Sequence, residues 1–200
     1  MPPSKTIYVD MDDVLCETAR GCLEIVERVF GKRIAYEQLT DFNLGNSCEL
    51  SSEETAELYH IVHHPDELLR LKPVNGAIAV LNQWMAAGFE IAIVTGRPPA
   101  AYEPSLDWLV REQVPYHSFT VVDKYGRFTT EETIVVSLWE LAARQFVFAV
   151  EDSPTMARYL AERMNVPVKL FDRPWNQATV EHPKITRHNH WLEIAETFSG

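Results

Sequence analysis

Residues 7–15, IYVDMDDVL, run from an apolar stretch into three carboxylates, Asp10, Asp12 and Asp13, and return at once to Val14 and Leu15. Ionised acids beside a core are costly unless a cation or several donors offset them. Apolar residues up to the acids predict a buried strand, so the chain must deliver this cluster to the end of a sheet. What compensates the charge is the question the rest of the sequence has to answer.

Five short runs rich in β-branched and aromatic residues read as strands, at 6–10, 90–95, 119–122, 146–150 and 168–171. Runs such as IAIV and FVFAV are apolar on both pleat faces, which fits a parallel sheet covered by helices on each side. Helical patterns fill the intervals. One spans 17–30 and stops at Gly31, and another opens on the capping box of Ser51 and Glu54 and runs to about 63. Others span 75–87, ending near Gly88, then 100–112, 131–144, and 154–164 with Pro154 at its first position.

Strand, long helical stretch, then strand and helix in alternation predicts an α/β doubly wound parallel five-stranded sheet. The expected division is a core domain of 1–15 and 73–200, with a small helical insertion at 16–72 after the first strand. Two hundred residues suit that arrangement.

A net charge of -11 argues against a general nucleic-acid binder, since phosphate backbones attract basic surfaces. It leaves room for a small phosphorylated ligand, because a metal ion can reverse the local field. No run approaches the 18 apolar residues of a membrane span, and the first strand begins too early for a signal peptide. Cys16, Cys22 and Cys48 form neither pairs nor a CxxC, which predicts reduced thiols in a cytoplasmic protein.

In such sheets ligands bind beyond the carboxyl ends of the strands. Asp10 ends the first strand, Thr95 the second, and Glu151 and Asp152 follow the fourth, so these residues should meet in one crevice. Crowded carboxylates repel one another unless a cation sits among them. Oxygen donors without nearby His or Cys favour Mg²⁺ over zinc. The bland alternative is an acid-rich solvated loop.

Four ordered phrases, IYVDMD, IAIVTGRP, Lys124 in VVDKYGR, and FVFAVEDSP, together resemble the haloacid dehalogenase (HAD) superfamily of phosphohydrolases over residues 6–176. The resemblance implies that Asp10 is the nucleophile and Asp12 the general acid and then base. It implies Mg²⁺ held by Asp10, the Asp12 backbone carbonyl and Asp152, with Glu151 acting through water. Thr95 and the Gly96 N–H would bind phosphate, with Arg97 beside them. Lys124 is the expected phosphate-site cation, and Arg144 is its competitor.

VPVKLFDRPWNQ, with Phe171, Asp172, Pro174, Trp175 and Asn176, narrows the likeness to the 5'(3')-deoxyribonucleotidase branch. That implies a nucleoside monophosphate substrate; sugar-phosphate phosphatases or mutases and a non-catalytic regulator are the alternatives. Phe42, Tyr36 and Tyr59 in the insertion are candidates to face the substrate, Phe42 foremost. The insertion would act as a cap. A homodimer is the one protein partner left open. Asp13 reads as a solvated turn acid, with a supporting place behind the site residues as the alternative; His60, His63 and His64 read as a solvated helix end, and His188 and His190 as surface. Trp84, Trp108 and Trp139 read as core, and Cys16 as a packed thiol.

Overall fold

The structure, a computed structural model, describes residues 5–128, 134–178 and 181–197. Seven strands form one sheet in the order β4-β3-β2-β1-β5-β6-β7. They are β1 (Thr6–Val9), β2 (Glu90–Thr95), β3 (Ser118–Val122), β4 (Val135–Val136), β5 (Ala149–Glu151), β6 (Val168–Phe171) and β7 (Ile185–His188). Every pairing is parallel. The sheet is therefore wider than the expected five strands, the added β4 and β7 being its two edges.

Alternation along the strands builds both faces. Ile7, Val9, Ile91, Ile93, Phe148 and Val150 point to one side, against α5 (Ala77–Ala86), α6 (Tyr102–Arg111) and α9 (Trp191–Glu196). Tyr8, Ala92, Val94, Ala149, Val168 and Leu170 point to the other, against α7 (Leu138–Ala142) and α8 (Pro154–Glu162). In α5 the buried residues are Ala77, Val80, Leu81 and Trp84, one stripe at helical spacing. Burial of each large side chain of that kind contributes about 1.5–3 kcal/mol before entropy is counted.

Between β1 and α5 lies a helical insert of α1 (Thr18–Phe30), α2 (Leu44–Ser47), α3 (Ser52–Val62) and α4 (Pro65–Arg70). It has a core of its own, in which Cys22, Ile25, Val26, Leu39, Leu58 and Val62 meet Trp175 from the sheet side. Gly31 closes α1 at φ 67°, a left-handed cap that glycine adopts without strain. The reciprocal Ser51–Glu54 box opens α3. The chain leaves and returns side by side: Glu17 N–H donates to the Lys72 carbonyl at 2.9 Å, and Val74 N–H to that of Leu15 at 2.8 Å. Two buried indoles brace the crossing, Trp108 donating to the Leu71 carbonyl and Trp191 to that of Val14.

Three expectations are corrected. The helix expected over 131–144 is instead β4 followed by the short α7, residues 129–133 lying outside the described residues. Trp139, expected in the core, is 82% exposed, because the short α7 buries only Leu141. His188, expected at the surface, is buried at the end of β7. Trp84 and Trp108 are buried as expected. No helix is long and apolar enough to cross a membrane among the described residues.

Candidate active site

The strand order reverses at β1, with β2 on one side and β5 on the other, and that switch point is where a doubly wound sheet opens a crevice. Residues from the ends of β1, β2, β3 and β5 converge there. They line a cavity of about 840 Å³ between the sheet and the insert. Asp10, Asp12, Gly96, Arg97, Lys124 and Asp152 form its floor, while Phe42, Tyr59 and His63 face it from the insert.

Asp10, Glu151 and Asp152 are buried, and one carboxylate oxygen of each lies within 4.8 Å of the others. Lys124 donates to Asp10 Oδ1 at 2.5 Å and to Glu151 Oε1 at 2.7 Å. Glu151 is further held by the Tyr8 hydroxyl and by the backbone N–H groups of Asp152 and Ser153. Its oxygens are thus occupied by protein donors, and it anchors Lys124 and the turn that carries Asp152.

Burial and then the Glu151 charge push the Asp10 carboxyl up to about 8, against the pull of Lys124. Asp152 is raised for the same reasons, burial first and then Glu151 and Asp10. Burial alone would lower Lys124, but Asp10 and Glu151 outweigh it and hold it well above its ordinary value. One ammonium among three carboxylates leaves negative charge uncompensated. Hard oxygen donors with that deficit fit a divalent cation.

Asp12 is treated differently. Arg97 donates to its Oδ1 at 3.0 and 2.7 Å and to Oδ2 at 3.1 Å, and Thr18 adds a hydroxyl bond of 2.5 Å. Burial would raise the Asp12 carboxyl, but the Arg97 charge wins and lowers it. Arg97 also donates from Nη1 to the Ser105 hydroxyl and from Nη2 to Cys16 Sγ. Thr95 is buried, and its hydroxyl accepts the Arg97 backbone N–H at 3.1 Å. Gly96 lies against the Lys124 stem: an added Cβ would meet Lys124 Cδ at 3.3 Å and Tyr125 Cε2 at 3.4 Å. Arg144 is elsewhere, bonded to the Thr120 hydroxyl.

Asp13 is not the solvated acid expected. It is buried at φ 58° and accepts the Ala19 N–H at the start of α1. Burial, reinforced by Asp12, carries it to about 7 against that bond and Arg173. His63 is likewise drawn into the cavity wall, its ring stacked on Tyr59 and its Nδ1 2.6 Å from the Tyr59 carbonyl oxygen. His64 caps α4, as a helix-end histidine can. Phe42 packs on Tyr125 with ring centroids 5.7 Å apart, bridging insert and sheet.

Sequence reasoning missed the partners that hold these groups. Arg173 binds the Asp13 carbonyl at 2.5 and 2.8 Å, and the Trp175 indole N–H donates to Asp152 Oδ2 at 2.8 Å. Asn176 donates to the Asp152 carbonyl. The phrase FDRPWN was visible as a motif, but nothing in its spacing said which side chain would turn toward Asp152.

Solved structures share the fold. Mycobacterium tuberculosis Protein Tyrosine Kinase A is 13% identical with a TM-score of 0.70, covering 100% of both chains. A predicted phosphatase from Clostridium acetobutylicum is 12% identical with a TM-score of 0.66, covering 98% of each. A HAD-superfamily hydrolase from Ehrlichia chaffeensis is 15% identical with a TM-score of 0.54, covering 98% of this chain and 97% of its own. A Halalkalibacterium halodurans protein provisionally named a nucleotidase is 25% identical over 189 residues, 94% of this chain and 90% of its own length. The chain belongs to the family described as 5' nucleotidase, deoxy (pyrimidine), cytosolic type C protein, whose model matches residues 4–197.

Proposed function

We propose that the protein is a Mg²⁺-dependent 5'(3')-deoxyribonucleotidase that works through an aspartyl-phosphate on Asp10. The observation that carries the reading is the meeting of Asp10, Lys124, Glu151 and Asp152 at one end of the sheet, under a cavity roomy enough for a nucleotide.

In this reading the Asp10 and Asp152 carboxylates and the Asp12 backbone carbonyl hold Mg²⁺. When bound, the ion supplies the positive charge that lets an anionic carboxylate approach an anionic phosphate. Asp10 attacks phosphorus, the leaving oxygen departs as its bond to phosphorus breaks, and Asp12, which must hold a proton at that moment against the pull of Arg97, passes it to that oxygen. Asp12 then takes a proton from the water that attacks the phosphoryl group, and Asp10 is regenerated. Lys124, the Thr95 hydroxyl and the Gly96 N–H stabilise the phosphoryl oxygens. Glu151 keeps Lys124 and the Asp152 turn in place.

The insert serves as the cap that excludes water and selects the leaving group, hinged where Leu15–Glu17 and Lys72–Val74 run side by side. Phe42 offers an aromatic face to the nucleoside. Two experiments test the reading. Asp10→Asn should retain the fold and lose turnover; near-normal activity would refute the covalent step. A side-by-side panel of phosphate esters should rank deoxynucleoside monophosphates above sugar phosphates. The reverse ranking would replace nucleotidase with sugar-phosphate phosphatase.

A further inference from the structure

Trp175 belongs to two parts of the molecule at once. Its ring is buried in the insert's own core, beside Ala19, Cys22 and Ile25, while its indole N–H reaches back to Asp152 Oδ2 at 2.8 Å. Tyr36, from the insert, meets the indole edge-on with centroids 5.9 Å apart at 76°. The Arg20 guanidinium sits over the Tyr36 ring, 4.1 Å from its centroid, so the tyrosine is held from α1 as well.

The backbone around Trp175 is equally constrained. Asn176 donates to the carbonyls of Asp152 and Phe171, both at 2.8 Å, and accepts from the Arg173 N–H and from Arg187. The turn at Pro174–Asn176 therefore cannot shift without disturbing the loop of Asp152. A carboxylate can rotate about its last torsion unless a donor fixes one oxygen, and here the donor is Trp175.

We infer that Trp175 is a positioning residue that ties the helical insert to Asp152, linking insert packing to the site's affinity for a divalent cation. The inference rests on reading Asp152 as a metal ligand. Partners that orient a ligating carboxylate govern metal affinity by about 10–100-fold. Coupling is reciprocal: if the insert orders Asp152, cation binding must order the insert.

The test compares wild type, Trp175→Phe, Tyr36→Leu and Asp152→Asn by calorimetric titration with MgCl₂ alone, and by hydrogen exchange with and without Mg²⁺. Trp175→Phe keeps an aromatic ring and removes the donor, and should weaken Mg²⁺ binding about tenfold. Tyr36→Leu keeps the indole N–H and loosens its seat, and should weaken binding about threefold, the scale of one ring pair. In wild type Mg²⁺ should slow exchange at Tyr36–Gln38 and in α1, and in Trp175→Phe that slowing should vanish. A tryptophan that only filled space would leave both readouts as in wild type.

Wild-type Mg²⁺ affinity in folded Trp175→Phe, with binding lost in Asp152→Asn, would overturn the inference alone. Should Trp175→Phe fail to fold, wild-type affinity and protection in Tyr36→Leu would overturn it equally. Unchanged binding in Asp152→Asn would overturn the metal-ligand reading and the inference with it.

Discussion

Arg97 and Asp12 stand 85 positions apart in the chain and close into a half-buried pair, with Nη2 2.7 Å from Oδ1 and Nε bridging both carboxylate oxygens. The guanidinium side chain is 2% exposed and the Asp12 side chain 30%, so the arginine is sealed in while the carboxylate keeps an edge on the cavity. Arg97, expected to face the substrate, directs three of its hydrogen bonds at the residue proposed to handle the leaving-group proton.

Arg97→Met removes the cation and leaves the half-buried Asp12 carboxylate with the Thr18 hydroxyl. Stability should fall by about 1–3 kcal/mol, measured by denaturant unfolding. The rate effect should depend on the leaving group. A deoxynucleotide needs its oxygen protonated and should lose about 10²-fold in kcat/KM or more. p-Nitrophenyl phosphate, whose phenolate departs unprotonated, should lose far less. Equal losses on both substrates would show that Arg97 only supports the fold.

Lys124 is the one cation in contact with both Asp10 and Glu151 among the described residues. Lys124→Met should lower kcat by about 10²–10³-fold, the scale of losing one preorganised electrostatic donor. Lys124→Arg should not restore the rate, because a planar fork cannot replace a point charge seated at 2.5 and 2.7 Å. Steady-state kinetics on protein checked by circular dichroism decides it. A variant within threefold of wild type would remove Lys124 from the reaction.

His188 carries the acid-sensitive end of the sheet. Its Nδ1 is buried without a hydrogen-bond partner among the described residues, 3.7 Å from the Glu193 carboxylate, while Nε2 meets the Thr186 hydroxyl. Burial, and then Lys169, hold its pKa below the ordinary imidazole value, with Glu193 opposing. Above about pH 6.5 the ring is neutral folded and unfolded, and contributes no pH dependence. On acidification the unfolded chain takes the proton first, so stability falls as pH drops below about 6.5 and levels off once the folded ring titrates. Melting temperatures at pH 7.5 and 5.5 should fall more for wild type than for His188→Gln. An equal fall would exclude His188 as the source.

The central strands were legible because apolar residues on both pleat faces can sit only in a covered parallel sheet. The edges were not. β7 reads ITRH, with Thr186 and Arg187 exposed, and its polarity concealed a strand that pairs with β6 on one side only. β4 is two valines long, too short for any periodicity. At the site, the acids announced themselves through the cost of crowding them, whereas Arg173, Trp175 and Thr18 act through donors that fit many environments. Asp13 misled for a related reason: a turn acid in left-handed backbone looks solvated in sequence, yet here it closes the start of α1.

The adjacent exit and return of the chain at Leu15–Glu17 and Lys72–Val74 have an evolutionary corollary. Because the chain leaves and returns at neighbouring points, the length of the excursion between them weighs little on the sheet. Exchanging that excursion would leave the strand-end cluster itself unrebuilt. Trp175 sets the boundary on such exchange, since any transplanted module must bring a socket for its indole.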